Sequence, residues 1–84
     1  MFKVLVENSA EKDLKKLPRE NILRISKALQ ELSLDSRPAG CKKLINTANR
    51  WRIRVGDYRI VYEIYDETKI IRIFRIRHRK EVYD

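Results

Sequence analysis

The sequence predicts an α+β fold of two layers, a helical hairpin packed on a mostly antiparallel sheet in the order β-α-α-β-β-β. Three observations predict it. Apolar residues recur at helical spacing between residues 9 and 34. From Cys41 onward the period changes to two. Between these stretches lies Ser36–Gly40 (SRPAG), the only concentrated turn signal. With 84 residues, 43% of them apolar, the chain has material for one modest core, so residues 1–84 are expected to form a single domain.

Each element follows from its residues. Phe2–Val6 (FKVLV) reads as a short strand. Asn8, with Glu11 three positions on, has the pattern of a capping box, and a first helix is expected over Ser9–Leu17. It would bury Ala10, Leu14 and Leu17 and expose Glu11, Lys12, Lys15 and Lys16. Pro18 ends that helix and opens a second, because proline suits the first helical turn. Ile22, Ile25, Leu29 and Leu32 form one apolar stripe on the second helix, which should end near Leu34. Trp51, Ile53 and Val55 alternate with Arg52 and Arg54, and Gly56-Asp57 fits a type II′ hairpin turn. Tyr58, Ile60, Tyr62 and Ile64 continue the alternation. After a turn at Asp66–Thr68 comes a strand over Lys69–Arg77, apolar on both faces at first and so placed inside the sheet.

The chain is strongly basic, with 20 Lys and Arg against 12 Asp and Glu, a net charge of +8. Residues 1–41 hold 8 basic and 6 acidic residues; residues 42–84 hold 12 and 6. The field therefore comes mostly from the second half, which points to a polyanionic partner. Neither helix has the basic, aromatic-rich face of a membrane binder, and no apolar run approaches the roughly 20 residues needed to span a bilayer. Met1 leads straight into a strand-like run without a cleavage-site pattern, and a single cysteine, Cys41, suits a reducing compartment; a cytoplasmic location is expected. One cysteine, one histidine and scattered carboxylates make no metal-ligand set, and no glycine-rich phosphate loop is present, so no cofactor is expected.

The arginines carry the candidate chemistry. Alternation places Trp51, Ile53 and Val55 on the core face, leaving Arg52 and Arg54 on the open face. Arg59 lies just past the turn, the last strand adds Arg75 and Arg77, and the tail adds His78, Arg79, Lys80 and Tyr83. Planar guanidinium groups match phosphate oxygens two at a time. An RNA 2′-hydroxyl can attack the adjacent phosphate if its proton is removed, the pentacovalent dianion is stabilised and the leaving 5′-oxygen is protonated. Arginines can serve the second role; His78, Tyr83, Tyr58 and Tyr65 are candidates for the proton transfers.

The string WRIRVGDYRIVYEI at 51–64, followed by IRHRKEVY at 76–83, resembles the RelE/ParE toxin superfamily, and its RelE-like members in particular. The resemblance extends over essentially the whole chain and includes Lys42-Lys43-Leu44. It implies a metal-independent mRNA interferase that cleaves mRNA in the ribosomal A site by 2′-hydroxyl attack. It also implies a cognate RelB-like antitoxin that covers or disrupts the basic face, the complex repressing its own promoter DNA. By position, Arg59 matches an arginine that contacts the scissile phosphate, and Tyr83 matches a functional tyrosine. Arg52 and Arg54 fall where a well-characterised member has two lysines. The functional tail arginine is Arg79 when aligned from the strand and Arg77 when aligned from the tyrosine; we favour Arg79. The implied catalytic set is Arg52, Arg54, Arg59, Arg79 and Tyr83, with Lys42, Lys43, Arg75, Arg77, His78 and Lys80 as RNA contacts. Arginine does not give up its proton, so a base must come from elsewhere, with His78 and Tyr83 as candidates. Two other readings remain open: a ParE-like inhibitor of DNA gyrase on the same fold, and a nucleic-acid-binding module without catalysis.

Overall fold

The computed structural model describes residues 1–81. Tyr83, expected to act at the site, lies outside them. The chain runs β1 (Lys3–Val6), α1 (Asn8–Lys15), α2 (Arg19–Leu34), β2 (Lys42–Lys43), β3 (Arg50–Val55), β4 (Tyr58–Tyr65) and β5 (Ile70–His78). A single 3₁₀ turn follows at Arg79–Glu81. The five strands form one sheet in the order β1-β5-β4-β3-β2. Only β1 and β5 pair in parallel; the other neighbours are antiparallel. The expected α+β architecture is therefore present, with β2 as an added two-residue edge strand.

One sheet face is covered by the helices. Ile25, Leu29 and Leu32 of α2 and Ala10 of α1 meet Ile60, Tyr62, Ile64, Ile71, Ile73 and Ile76 in a buried core. Ile22, the fourth member of the expected stripe, is only half-buried. Trp51, Ile53 and Val55 pack against this core as alternation requires. Tyr62 is fully buried, and its hydroxyl donates to the Ser36 carbonyl at 3.1 Å. That bond satisfies the one polar atom its burial would otherwise strand.

Two boundaries differ from the sequence reading. Asn8 is the first helical residue, not the cap; Glu7 holds the N-cap position with extended backbone and no side-chain cap bond. The Glu7 carboxylate turns instead to Arg72, 3.3 Å away, and Glu11 pairs with Lys15, so no capping box forms. The first helix also stops at Lys15 rather than Leu17. There the amide of Leu17 bonds the Leu14 carbonyl in a tightened last turn, and Pro18 caps α2. The hairpin turn is as expected: Val55 pairs with Tyr58, and only Gly56 of the two turn residues has positive φ (60°), which fits type II′.

A bulge in β5 decides which residues face the helices. Val61 pairs with Arg75 but Tyr62 pairs with Ile73, so Phe74 has no partner across the ladder. One unpaired residue reverses the facing of everything beyond it. Before the bulge Ile71 and Ile73 face the core; after it Ile76 does, and Arg75 and Arg77 turn to the open face. Among the described residues, no helix is long and apolar enough to cross a membrane.

Candidate nucleic-acid interface

Residues paired across neighbouring strands share a sheet face, so the register builds the open face row by row. Nearest the hairpin turn, Arg54, Arg59 and Arg77 lie side by side on β3, β4 and β5. The next row along is Lys42, Arg52, Val61 and Arg75. Beyond it come Arg50, Glu63 and Arg72. Neighbouring strands lie about 4.8 Å apart, so three guanidinium-bearing residues span about 10 Å in the first row.

The three rows differ in their residues and contacts. In the row farthest from the turn, Glu63 sits between two arginines and pairs with Arg50 at 3.1 Å, while Arg72 pairs with Glu7. The middle row has its outer arginine engaged: Arg75 grips Asp13 of α1 through Nε at 2.9 Å and Nη2 at 3.1 Å. The row nearest the turn contains no carboxylate. Arg54 is steadied by donating to the Gly56 carbonyl at 2.9 Å. Three arginines thus adjoin one another beside the β3–β4 turn. There a cleft of about 260 Å³ opens, lined by Lys42, Arg52, Arg54 and Arg59 with Gly40 and Ile53.

Asp13 anchors this arrangement from the helical layer. Burial pushes its carboxyl up, but hydrogen bonds from Arg75 and the Ile76 amide, with the nearby arginine charges, leave it below its usual value. Asp13 Oδ2 accepts the Ile76 N–H at 2.9 Å, and Ser9 Oγ donates to the Phe74 carbonyl at 2.6 Å. These two side chains, four residues apart on α1, satisfy backbone groups of β5 beyond the end of β1.

The structure brings together Lys42, Arg52, Arg54 and Arg59, with Arg77 directly across from Arg59. Arg79 is one step beyond the sheet, exposed, with its Nε 3.7 Å from the Asp57 carboxylate of the turn. Lys43 pairs across from Trp51 and so alternates to the opposite facing, though it is exposed. Lys80 is exposed past the sheet. His78 departs from the expectation. It pairs with Tyr58, and both face the helices, their rings edge to face at 5.3 Å. Its Nδ1 accepts the Lys80 amide. The imidazole and the arginine rows therefore lie on opposite faces of the sheet. Sequence reasoning passed over Arg50 and Arg72; their parity with Arg52 and Arg54 was the available signal, and Glu63 and Glu7 now account for them.

Comparison with known proteins gives the class. A family model described as "ParE toxin of type II toxin-antitoxin system, parDE" matches residues 4–83. Toxin RelE3 of Methanocaldococcus jannaschii is 40% identical over 87 residues, covering 99% of this chain and 97% of that protein. The archaeal RelE–RelB complex from Pyrococcus horikoshii OT3 superposes with a TM-score of 0.84 at 26% identity, covering 96% of this chain and 98% of the other. The RelBE2 toxin–antitoxin complex of Mycobacterium tuberculosis gives 0.83 at 29% identity, covering 92% and 96%. The chain belongs to the ParE toxin family of the RelE/ParE superfamily, as a RelE-like toxin.

Proposed function

We propose that this toxin is a ribosome-dependent endoribonuclease that cleaves mRNA in the A site by 2′-hydroxyl attack, without a metal. The observation that carries this reading is the row Arg54–Arg59–Arg77 beside the cleft shared with Lys42 and Arg52, five cations brought together on one sheet face. Arg59 and Arg54 hold the scissile phosphate, and their fixed charge stabilises the dianion formed when the 2′-oxygen bonds to phosphorus. The P–O5′ bond then breaks, leaving a 2′,3′-cyclic phosphate and a 5′-hydroxyl. Arginine cannot trade protons, but lysine can, so we assign proton transfer to Lys42, with Tyr83 as the second group by family resemblance. His78 is on the wrong face for this role. Position across from Arg59 also favours Arg77 over Arg79 as the tail arginine.

Relatives crystallised as RelB–RelE complexes support a RelB-type antitoxin as partner. An acidic or amphipathic antitoxin would cancel part of the +8 charge, and the complex would bind promoter DNA. Action on DNA gyrase is the second reading, favoured by the ParE description of the matching family model.

The test is in vitro translation with purified toxin, mapping mRNA ends by primer extension. New ends at the A-site codon are expected only with ribosomes, reduced about 10²–10³-fold by Arg59→Ala. Intact mRNA with unaffected translation would overturn the reading; gyrase-linked DNA breaks would replace it with the second.

A further inference from the structure

A second cleft lies on the helix side of the same hairpin turn, and the chemistry proposed above does not use it. It encloses about 330 Å³ between the start of α2 and the ends of β3, β4 and β5, at the small end of ligand-pocket sizes. Its floor is apolar, from Ile25 and Val55. Its walls are polar: Asn21, Arg24, Tyr58 and His78, with Asp57 at the turn. The Asn21 amide donates from Nδ2 to the Tyr58 hydroxyl at 3.3 Å, leaving Oδ1 as an acceptor. With Nδ1 of His78 held by the Lys80 amide, Nε2 is the nitrogen left for a ligand.

Gly56 shapes the rim. Nη2, Nη1 and Cζ of Arg24 stand 3.3, 3.4 and 3.5 Å from where a Cβ on Gly56 would be. Near-equal distances mean that the guanidinium presents its face to the glycine. Gly56 therefore seats one face of a flat cationic plate, and Arg24 stays exposed to solvent. Among the described residues, Arg24 forms no ion pair.

The geometry points to a binding site for an unstacked, amino-bearing nucleobase of the RNA strand whose phosphates lie on the arginine face. This inference rests on RNA being the toxin's substrate. Single-stranded RNA is read by stacking bases on guanidinium planes and aromatic rings and by hydrogen bonds to their edges. An apolar floor, an Arg plate, an amide acceptor and an imidazole supply those contacts. A second phosphate fits worse, because Asp57 lines the wall and brings a carboxylate, one oxygen of which lies 3.7 Å from Arg79 Nε. That carboxylate can accept from the exocyclic amine of cytosine, as carboxylates do in base recognition. Uracil offers no such amine. Position also fits: the row Val55–Tyr58–His78 is the neighbour, on the opposite face, of the row Arg54–Arg59–Arg77. A strand rounding the β3–β4 turn beside Arg24 passes from one to the other.

The test is ¹H–¹⁵N NMR of the full chain titrated with cytidine 5′-monophosphate, uridine 5′-monophosphate and inorganic phosphate. Cytidine monophosphate is expected to shift Gly56, Tyr58 and the Asn21 side-chain amide, with uridine monophosphate at least fivefold weaker. Inorganic phosphate should move only the arginine face. Arg24→Ala, and independently Asn21→Ala, should weaken the cleft shifts about tenfold and leave the arginine-face shifts unchanged. Equal shifts with both nucleotides, the same pattern with phosphate alone, or no effect of either variant would overturn the inference. A toxin that cuts mRNA in translation without cleft shifts would overturn the cleft alone. Cleft shifts in a toxin that leaves mRNA intact would uphold the cleft and overturn the nuclease reading.

Discussion

Ile70–Ile73 of β5 has a strand on each side, β1 and β4, whereas Phe74–His78 has β4 on one side and helix side chains on the other. The first half contributes Ile71 and Ile73 to the core. The second contributes Arg77 to the open face, and its outer backbone groups are met by Ser9 and Asp13. Phe74, the bulge residue, divides them. The difference teaches that the arginine-bearing half is held in the sheet partly by α1. A helix thus supports the interface from the opposite layer, through two polar side chains rather than a sixth strand.

Four changes would break or sharpen that contrast. Ile76→Asp should have the largest effect. It puts an unpaired carboxylate at a buried core position in the second half of β5, so circular dichroism should show no cooperative thermal transition. Ile73→Ala, in the strand-flanked half, empties a fully buried site and should cost about 3 kcal/mol in denaturant unfolding. Asp13→Asn, in the side-chain-held half, should cost about 2 kcal/mol at neutral pH by weakening bonds to Arg75 and the Ile76 amide. Its effect is pH-dependent with a defined sign. The folded carboxyl titrates below its usual value, so its stabilisation is complete above about pH 4 and is lost as pH falls through the folded value. The variant's stability should therefore fall less steeply in acid than that of the parent. Ser9→Ala removes a single hydrogen bond to Phe74 and should cost about 1 kcal/mol.

Much of this architecture was legible in the sequence because burial imposes a period. The stripe Ile25, Leu29 and Leu32 marked α2, and the alternation Trp51-Arg52-Ile53-Arg54-Val55 sorted the β3 arginines from the core correctly. What stayed hidden depended on partners distant in the chain. Asp13 and Arg75 are 62 residues apart, and nothing in either neighbourhood announces their pairing. The run Ile71–His78 also does not say which residue is unpaired, so His78 was expected beside arginines that it faces away from. Lys42-Lys43 was too short to read as a strand, yet pairing with Arg52 carries Lys42 into the cleft.

That short edge strand has a colloidal consequence. Beyond its pairing with β3, β2 ends the sheet with two exposed lysines. Lysine on a sheet border discourages a second molecule from adding its own strand there. The charge that lines the cleft thus also keeps separate copies of the toxin apart. Lys42→Ala, made to silence the cleft, removes half of that guard, so the oligomeric state of such a variant belongs beside its activity.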